Sequence, residues 1–196
     1  MMRYRRSYRH QHKSRFVEMF GNPVSNDRMW CSKILPDVLK DDTRIVAKLQ
    51  TSGYLDSGSC PIVDQGKKLI AGYTNTSEGI YEDVPAIVFG DHTCIWKYIQ
   101  MPFCLGADGA KVLNAKGADV DLRYIYEALR FYSIPDSGYS RHFKWVREFC
   151  LPLPPLALQR EFAAFVEKVD KLAFAVRESL ESAEKLYRQQ LSEAFA

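Results

Sequence analysis

Long apolar runs are missing from this 196-residue chain. No stretch reaches the roughly 18 nonpolar residues that a membrane-spanning helix needs, so such a helix is excluded. Acidic residues are missing from positions 1–15, which carry Arg3, Arg5, Arg6, Arg9, Lys13 and Arg15. No apolar segment follows this basic lead, since Glu18 interrupts the one candidate from Phe16 to Phe20. A secretory leader is therefore not expected. Cysteine is sparse: Cys31, Cys60, Cys94, Cys104 and Cys150 are an odd, widely spaced set with no CxxC pair. That excludes a disulfide framework and suits reduced thiols in a cytoplasmic protein. The common catalytic signatures are also missing. There is no GxGxxG, HExxH or GxSxG, and Gly66-Lys67-Lys68 lacks the hydroxyl residue of a phosphate-cradling loop. Methyltransferase and nuclease signatures are absent too. Asp91-His92-Thr93-Cys94 offers metal-ligand types without a second cluster to complete a site. The chain is expected to be non-catalytic, with no metal and no cofactor.

What is present is enough apolar material for a core, at 46% hydrophobic and 13% aromatic residues. The charge balance is 27 basic against 24 acidic, a formal +3. Setting aside the six cations of residues 1–15 leaves 21 against 24, or −3 for everything that follows. A body of that charge is not a broadly cationic nucleic-acid binder, and any such role must rest on local patches or a partner's charge.

Three zones follow. Residues 1–15 form a basic lead, expected to be disordered or the end of a helix. Residues 16–156 mix strand and helix signals and predict an α+β domain with short strands. Cys60–Val63 and Ala86–Phe89 read as strands, as does the alternating run Thr93–Ile99, with Cys94, Trp96 and Tyr98 on one face. A helix is predicted behind Asp119 as N-cap, with Leu122, Ile125, Tyr126 and Leu129 on one stripe. Leu151-Pro152-Leu153-Pro154-Pro155 predicts a stiff extended linker. Residues 157–196 then read as one long helix, since no Gly or Pro occurs from Ala157 to Phe195. Its seam runs through Phe162, Val166, Val169, Ala173, Val176, Leu180, Ala183, Tyr187, Gln190 and Ala194, a heptad pattern over about five repeats. At 1.5 Å per residue the helix spans roughly 55 Å. That is too long to cover its seam on a domain of this size, so a coiled coil with another helix is expected. A long helix packed within one globule is the plainer alternative.

Two stretches have the composition of a nucleic-acid contact. Gly138 to Trp145 interleaves aromatics with cations and small polar residues, so that Tyr139, Ser140, Arg141, His142 and Lys144 could meet base edges or phosphates. By pattern alone the stronger reading is a solvated loop, with Arg141 or Lys144 pairing Glu148 and Trp145 in the core. Gln65 to Thr76 is glycine-bounded, with Lys67, Lys68, Tyr73, Asn75 and Thr76 as candidates, and reads equally as a plain hairpin.

In this order, the pieces resemble the specificity subunit of type I restriction–modification systems. The junction Leu151-Pro-Leu-Pro-Pro-Leu-Ala-Leu-Gln-Arg-Glu-Phe162, continued by Phe165-Val166-Glu167-Lys168-Val169-Asp170-Lys171, resembles that family's passage from a target recognition domain into a long conserved helix. Asp64-Gln65-Gly66, Gly72-Tyr73, Phe89-Gly90-Asp91-His92-Thr93, Gly106-Ala107-Asp108-Gly109 and Gly138-Tyr139-Ser140-Arg141-His142 are similar to blocks of such domains. Lys13 to Pro23 resembles the end of a preceding conserved helix. The resemblance implies a subunit that reads double-stranded DNA, binds modification (methyltransferase) subunits and recruits the restriction subunit. With one recognition domain and one long helix, it implies a half-subunit whose seam lacks a partner within the chain. A homodimer or a second half-subunit would supply that partner. The rival reading is a coiled-coil protein-interaction adaptor without DNA readout.

Overall fold

Short β-branched and aromatic runs, broken by Gly, Asp and Ser, form strands of two to six residues, while the Gly- and Pro-free tail forms one continuous helix. The computed structural model describes residues 2–106, 109–135, 138 and 140–194. In chain order the elements are α1 (Met2–Phe20), β1 (Ser32–Ile34), α2 (Leu35–Val38), β2 (Leu39–Asp41), β3 (Lys48–Leu49), β4 (Cys60–Val63), β5 (Gly72–Thr74), β6 (Ala86–Gly90), β7 (Trp96–Ile99), β8 (Cys104–Gly106), β9 (Ala110–Ala115), α3 (Leu122–Leu129), α4 (Phe143–Val146), β10 (Cys150–Pro152) and α5 (Leu156–Ala194). The fold is α+β with a long C-terminal helix, as the sequence predicts.

Three layers result. The middle is an antiparallel sheet in the order β2-β9-β6-β7. Successive side chains point to opposite faces. Ile87, Phe89 and Leu113 therefore meet the helices, packing with Phe16 and Phe20 of α1, Tyr124 and Ile125 of α3, and Phe162 and Val166 of α5. Val88, Val112 and Ile99 point the other way, onto Val63 and Leu105 of a second sheet, β3-β8-β4-β5. β6 is buried along its whole length because both of its faces are covered.

The structure departs from the sequence expectations in five places. Residues 2–15 are helical, the second of the two expectations, but α1 runs through to Phe20, so the expected 15/16 boundary falls inside it. Its buried Phe16 and Phe20 make it part of the core. The cap of α3 is Asp121, whose carboxylate accepts the N–H groups of Arg123 at 2.9 Å and Tyr124 at 3.1 Å. Asp119 lies outside the helix and pairs with Lys33 at 3.1 Å. β7 begins only at Trp96, because Cys94 adopts a left-handed conformation (φ 55°) and closes a turn onto Gly90. The proline stretch is no free linker, since β10 pairs antiparallel with β1 and buries Leu151.

The fifth departure concerns the seam of α5. Its first half is already covered within the chain. Phe162 packs edge-on against Phe16 and Phe20, and Phe162, Val166 and Ala173 are buried. Arg15 reaches Glu161 at 3.6 Å and His12 reaches Asp170 at 3.4 Å, so α1 runs antiparallel to α5. Val169 is half-buried. Beyond Ala173 the seam opens: Val176 is 50% exposed, Leu180 43% and Tyr187 63%, with Ala183 exposed between them.

Candidate nucleic-acid interface

The registers place four chain segments at one end of the two sheets. β2 and β6 leave the middle sheet there at Asp41 and Gly90, and β9 and β7 enter it there at Ala110 and Trp96. β4 and β8 run parallel in the second sheet and deliver Asp64-Gln65 and Gly106 to the same end. Asp91, His92 and Thr93 tie these loops together. The Thr93 hydroxyl donates to the Gln65 carbonyl at 2.6 Å, and the His92 N–H donates to the Gln65 side chain at 3.4 Å. Gly109 (φ 92°) closes the third side. A Cβ there would stand 2.8 Å from both the Gln65 amide and the His92 ring, so only glycine fits.

A fifth segment, Ser140–Phe143, is fastened onto the same residues. The Asp91 carbonyl accepts both the backbone N–H and the Nδ1–H of His142 at 2.9 Å, and the Asp91 carboxylate accepts the Phe143 N–H at 2.7 Å. His92 Nδ1 donates to the Ser140 carbonyl at 3.1 Å. His142 is only 3% exposed. Its expected contact with DNA is therefore corrected: the ring is a strut under the loop, and its hydrogen-bonding nitrogen is already committed.

Below the loops, Lys97 is buried in the middle sheet with its ammonium 2.6 Å from the Asp64 carbonyl and 3.5 Å from the Asp64 carboxylate. Burial holds its pKa below the ordinary lysine value, against the pull of Asp64. The buried ammonium fixes the strand end from which Gln65, Lys67 and Lys68 project.

The two stretches singled out in the sequence thus meet, but only in part. Arg141, Lys67 and Lys68 are exposed, and among the described residues no hydrogen bond or ion pair holds the Arg141 guanidinium. Ser140 is half-buried, and Lys144 is exposed with its ammonium 5.0 Å from the Trp145 ring. Tyr139 lies outside the described residues. Tyr73, Asn75 and Thr76 do not join the cluster. β5 runs antiparallel to β4, with Thr74 opposite Cys60, so the chain carries Asn75 and Thr76 to the far end of that sheet. There the Asn75 side chain accepts the Ser59 N–H at 3.1 Å, and the Thr76 hydroxyl accepts the Glu78 N–H at 3.2 Å. Gln65, Asp91, His92, Thr93 and Lys97 are the residues that sequence reasoning did not assign. The glycines beside them were the visible signal.

Among the described residues no three His, Cys, Asp or Glu side chains gather as a metal site requires. No described helix is long and apolar enough to cross a membrane.

No protein-family profile matches the chain. A curated relative, the type I restriction enzyme EcoR124I/EcoR124II specificity subunit of Escherichia coli, is 25% identical over 152 residues, covering 71% of this chain and 38% of the relative. The chain is thus similar in sequence to a type I specificity subunit. Solved structures share the fold. The type I restriction–modification S subunit of M. genitalium superposes with a TM-score of 0.64 at 17% identity, over 94% of this chain and 51% of that one. The HsdS subunit of Thermoanaerobacter tengcongensis gives 0.55 at 14% identity, over 89% of this chain and 46% of that one. This specificity-subunit relative thus spans about half the length of the solved chains and less of the curated one.

Proposed function

We propose that the chain is the DNA-reading part of a type I restriction–modification complex. It recognises one half of a bipartite site and directs modification and restriction subunits there, in the cytoplasm and without catalysis of its own. The observation that carries this reading is the loop cluster itself. Exposed Arg141, Lys67 and Lys68 stand over a hydrogen-bonded scaffold of buried Asp91 and His142 and half-buried His92 and Gln65. A rigid scaffold beneath exposed cations and amides is what sequence readout requires, because each hydrogen bond to a base edge depends on the reader's position. Arg141 is the leading base contact, with Ser140, Lys67, Lys68 and Lys144 beside it.

The division of labour follows the fold. The sheets and their loops read DNA, while α5, with α1 as its partner over the first turns, forms the rod. The open part of the seam, from Val176 to Tyr187, takes a second helix from another copy or another half-subunit. An antiparallel pair sets two recognition domains at opposite ends of the rod and so fixes the spacing between half-sites, about a dozen base pairs or more at 3.4 Å each.

Methylation mapping tests the proposal. In cells making the chain with modification subunits, Arg141→Ala alters one half of the methylated site while the complex still assembles. An unchanged site rejects Arg141 as a reader, and a wild-type chain that directs no methylation rejects the function.

A further inference from the structure

The end of the sheets that carries the readout loops also carries cations outside them. β2 stops at Asp41, the chain turns through Thr43 and Arg44, β3 starts at Lys48, and Lys111 lies near the start of β9. With Val46, these residues line an open cavity of about 610 Å³. Three cations face it against one carboxylate.

That carboxylate is already engaged. Asp41 accepts the Thr43 N–H at 3.0 Å, the Thr43 hydroxyl and the Lys111 ammonium at 2.9 Å. Burial raises its pKa, but the Thr43 and Lys111 bonds outweigh that, so it stays ionised and holds Lys111 in place. The Thr43 hydroxyl in turn accepts the Val112 N–H at 3.0 Å, which ties the turn to β9. Arg44 is exposed and makes no hydrogen bond or ion pair among the described residues.

The cavity adjoins the readout scaffold directly. The Lys111 ammonium lies 5.0 Å from the ring centroid of Phe143, the residue whose N–H is held by Asp91. One side chain therefore borders both the cavity and the loop that presents Arg141.

We propose that this cavity is a phosphate-binding site for the backbone of duplex DNA, with Arg44 and Lys111 as its principal donors and Lys48 at its edge, an assignment that rests on the DNA reading above. A body of net charge −3 needs a local concentration of cations to hold phosphates. Arg suits a phosphate because its planar fork donates two parallel hydrogen bonds. Backbone contacts of this kind set the register in which neighbouring side chains meet the bases.

The test uses the full chain assembled with modification subunits, and follows binding to its methylated-site duplex and to a scrambled duplex over a range of salt concentrations. Arg44→Ala/Lys48→Ala alters two exposed side chains, and an unchanged melting curve confirms the fold. Both duplexes lose affinity by a similar factor, about tenfold or more, and the slope of log K against log salt becomes shallower by about two. Preference between the duplexes is kept. A double variant with wild-type affinity and slope overturns the phosphate site while the wild type's discrimination keeps the DNA reading standing. A variant that loses preference at constant slope also overturns it, since that marks a base contact. If the wild type does not discriminate between the duplexes, the DNA reading falls and the site falls with it.

Discussion

The side-chain oxygen of Gln159 accepts the backbone N–H of Asp121 at 2.9 Å, so the first turn of the long helix and the cap of α3 form one hydrogen-bonded unit. The Gln159 amide completes the joint by donating to the Pro154 carbonyl at 2.7 Å and the Asp119 carbonyl at 3.2 Å. Gln159 is 1% exposed, so none of these groups has water as an alternative. The junction motif seen in the sequence is thus a structural joint, which fixes the direction in which α5 leaves the rest of the fold.

Gln159→Leu tests that joint. The substitution keeps the volume but orphans the Asp121 N–H and two carbonyls, each costing about 1–3 kcal/mol when buried. The variant is expected to unfold at clearly lower denaturant concentration, with an unchanged denaturant slope. Wild-type stability contradicts the role given to Gln159.

The two halves of the α5 seam respond differently to mutation. Phe162→Ala removes a ring packed on Phe16 and Phe20 and costs about 3–5 kcal/mol of monomer stability. Val176→Asp alters a half-exposed position, leaves the monomer's melting unchanged, and abolishes association through the helix. Sedimentation of the two variants separates the roles. A Val176→Asp chain that still associates like wild type rules out the open seam as the interface.

The seam shows how far the sequence could be read and where it stopped. Its heptad spacing was legible because helical period is a local property. Which part of it faces inward was not, because that depends on α1, whose residues 2–15 carry no apolar stripe and gave no helical signal of their own. α1 is tied to the core by Phe16 and Phe20 and to α5 by charged contacts. The readout loops show the same division. Gly109 and the Gly90-Asp91-His92-Thr93 block marked turns, but joining residue 65 to residue 92 and residue 91 to residue 142 needed the strand order. The separation of Asn75 from Gln65 was hidden for the same reason: the two are close in the chain, and only the antiparallel β4-β5 pair sets them at opposite ends of the sheet.

Where the three helices meet, Glu127 of α3 is buried facing His12 of α1 at 3.4 Å, Arg123 at 3.4 Å and Arg130 at 2.5 Å, while Arg123 also holds Asp170 of α5 at 2.5 Å. Burial alone would raise the Glu127 pKa, but the facing His12 and the two guanidinium groups hold it below the ordinary 4.5. Near pH 4.5 the unfolded chain then binds more protons at this residue than the folded one does. The contribution of Glu127 to stability is full above that pH and is lost as pH falls through the lower folded value. Glu127→Gln is expected to cost about 1.5–3 kcal/mol at neutral pH and to flatten the acid limb of stability against pH. Denaturant unfolding between pH 3 and pH 7 checks both, and an unchanged acid limb refutes the assignment.

His142 and Arg141 are neighbours in sequence with opposite exposure, and their variants separate support from readout. His142→Ala removes a buried ring and its Nδ1–H bond to the Asp91 carbonyl, leaving that carbonyl with the backbone N–H of residue 142 alone. The loop then loses one of the fastenings that hold Ser140 to Phe143 over Gln65 and His92. The loss is expected to weaken binding to the methylated site by about tenfold or more through loosened geometry, and to lower stability by about 1–3 kcal/mol. Arg141→Ala, exposed and unpaired among the described residues, leaves stability unchanged and shifts which bases are preferred. Melting curves and binding to a panel of single-base variants of the site distinguish them. A His142→Ala chain with full stability but altered base preference reverses the assignment, because a ring that reads bases cannot also be the buried strut that Asp91 holds.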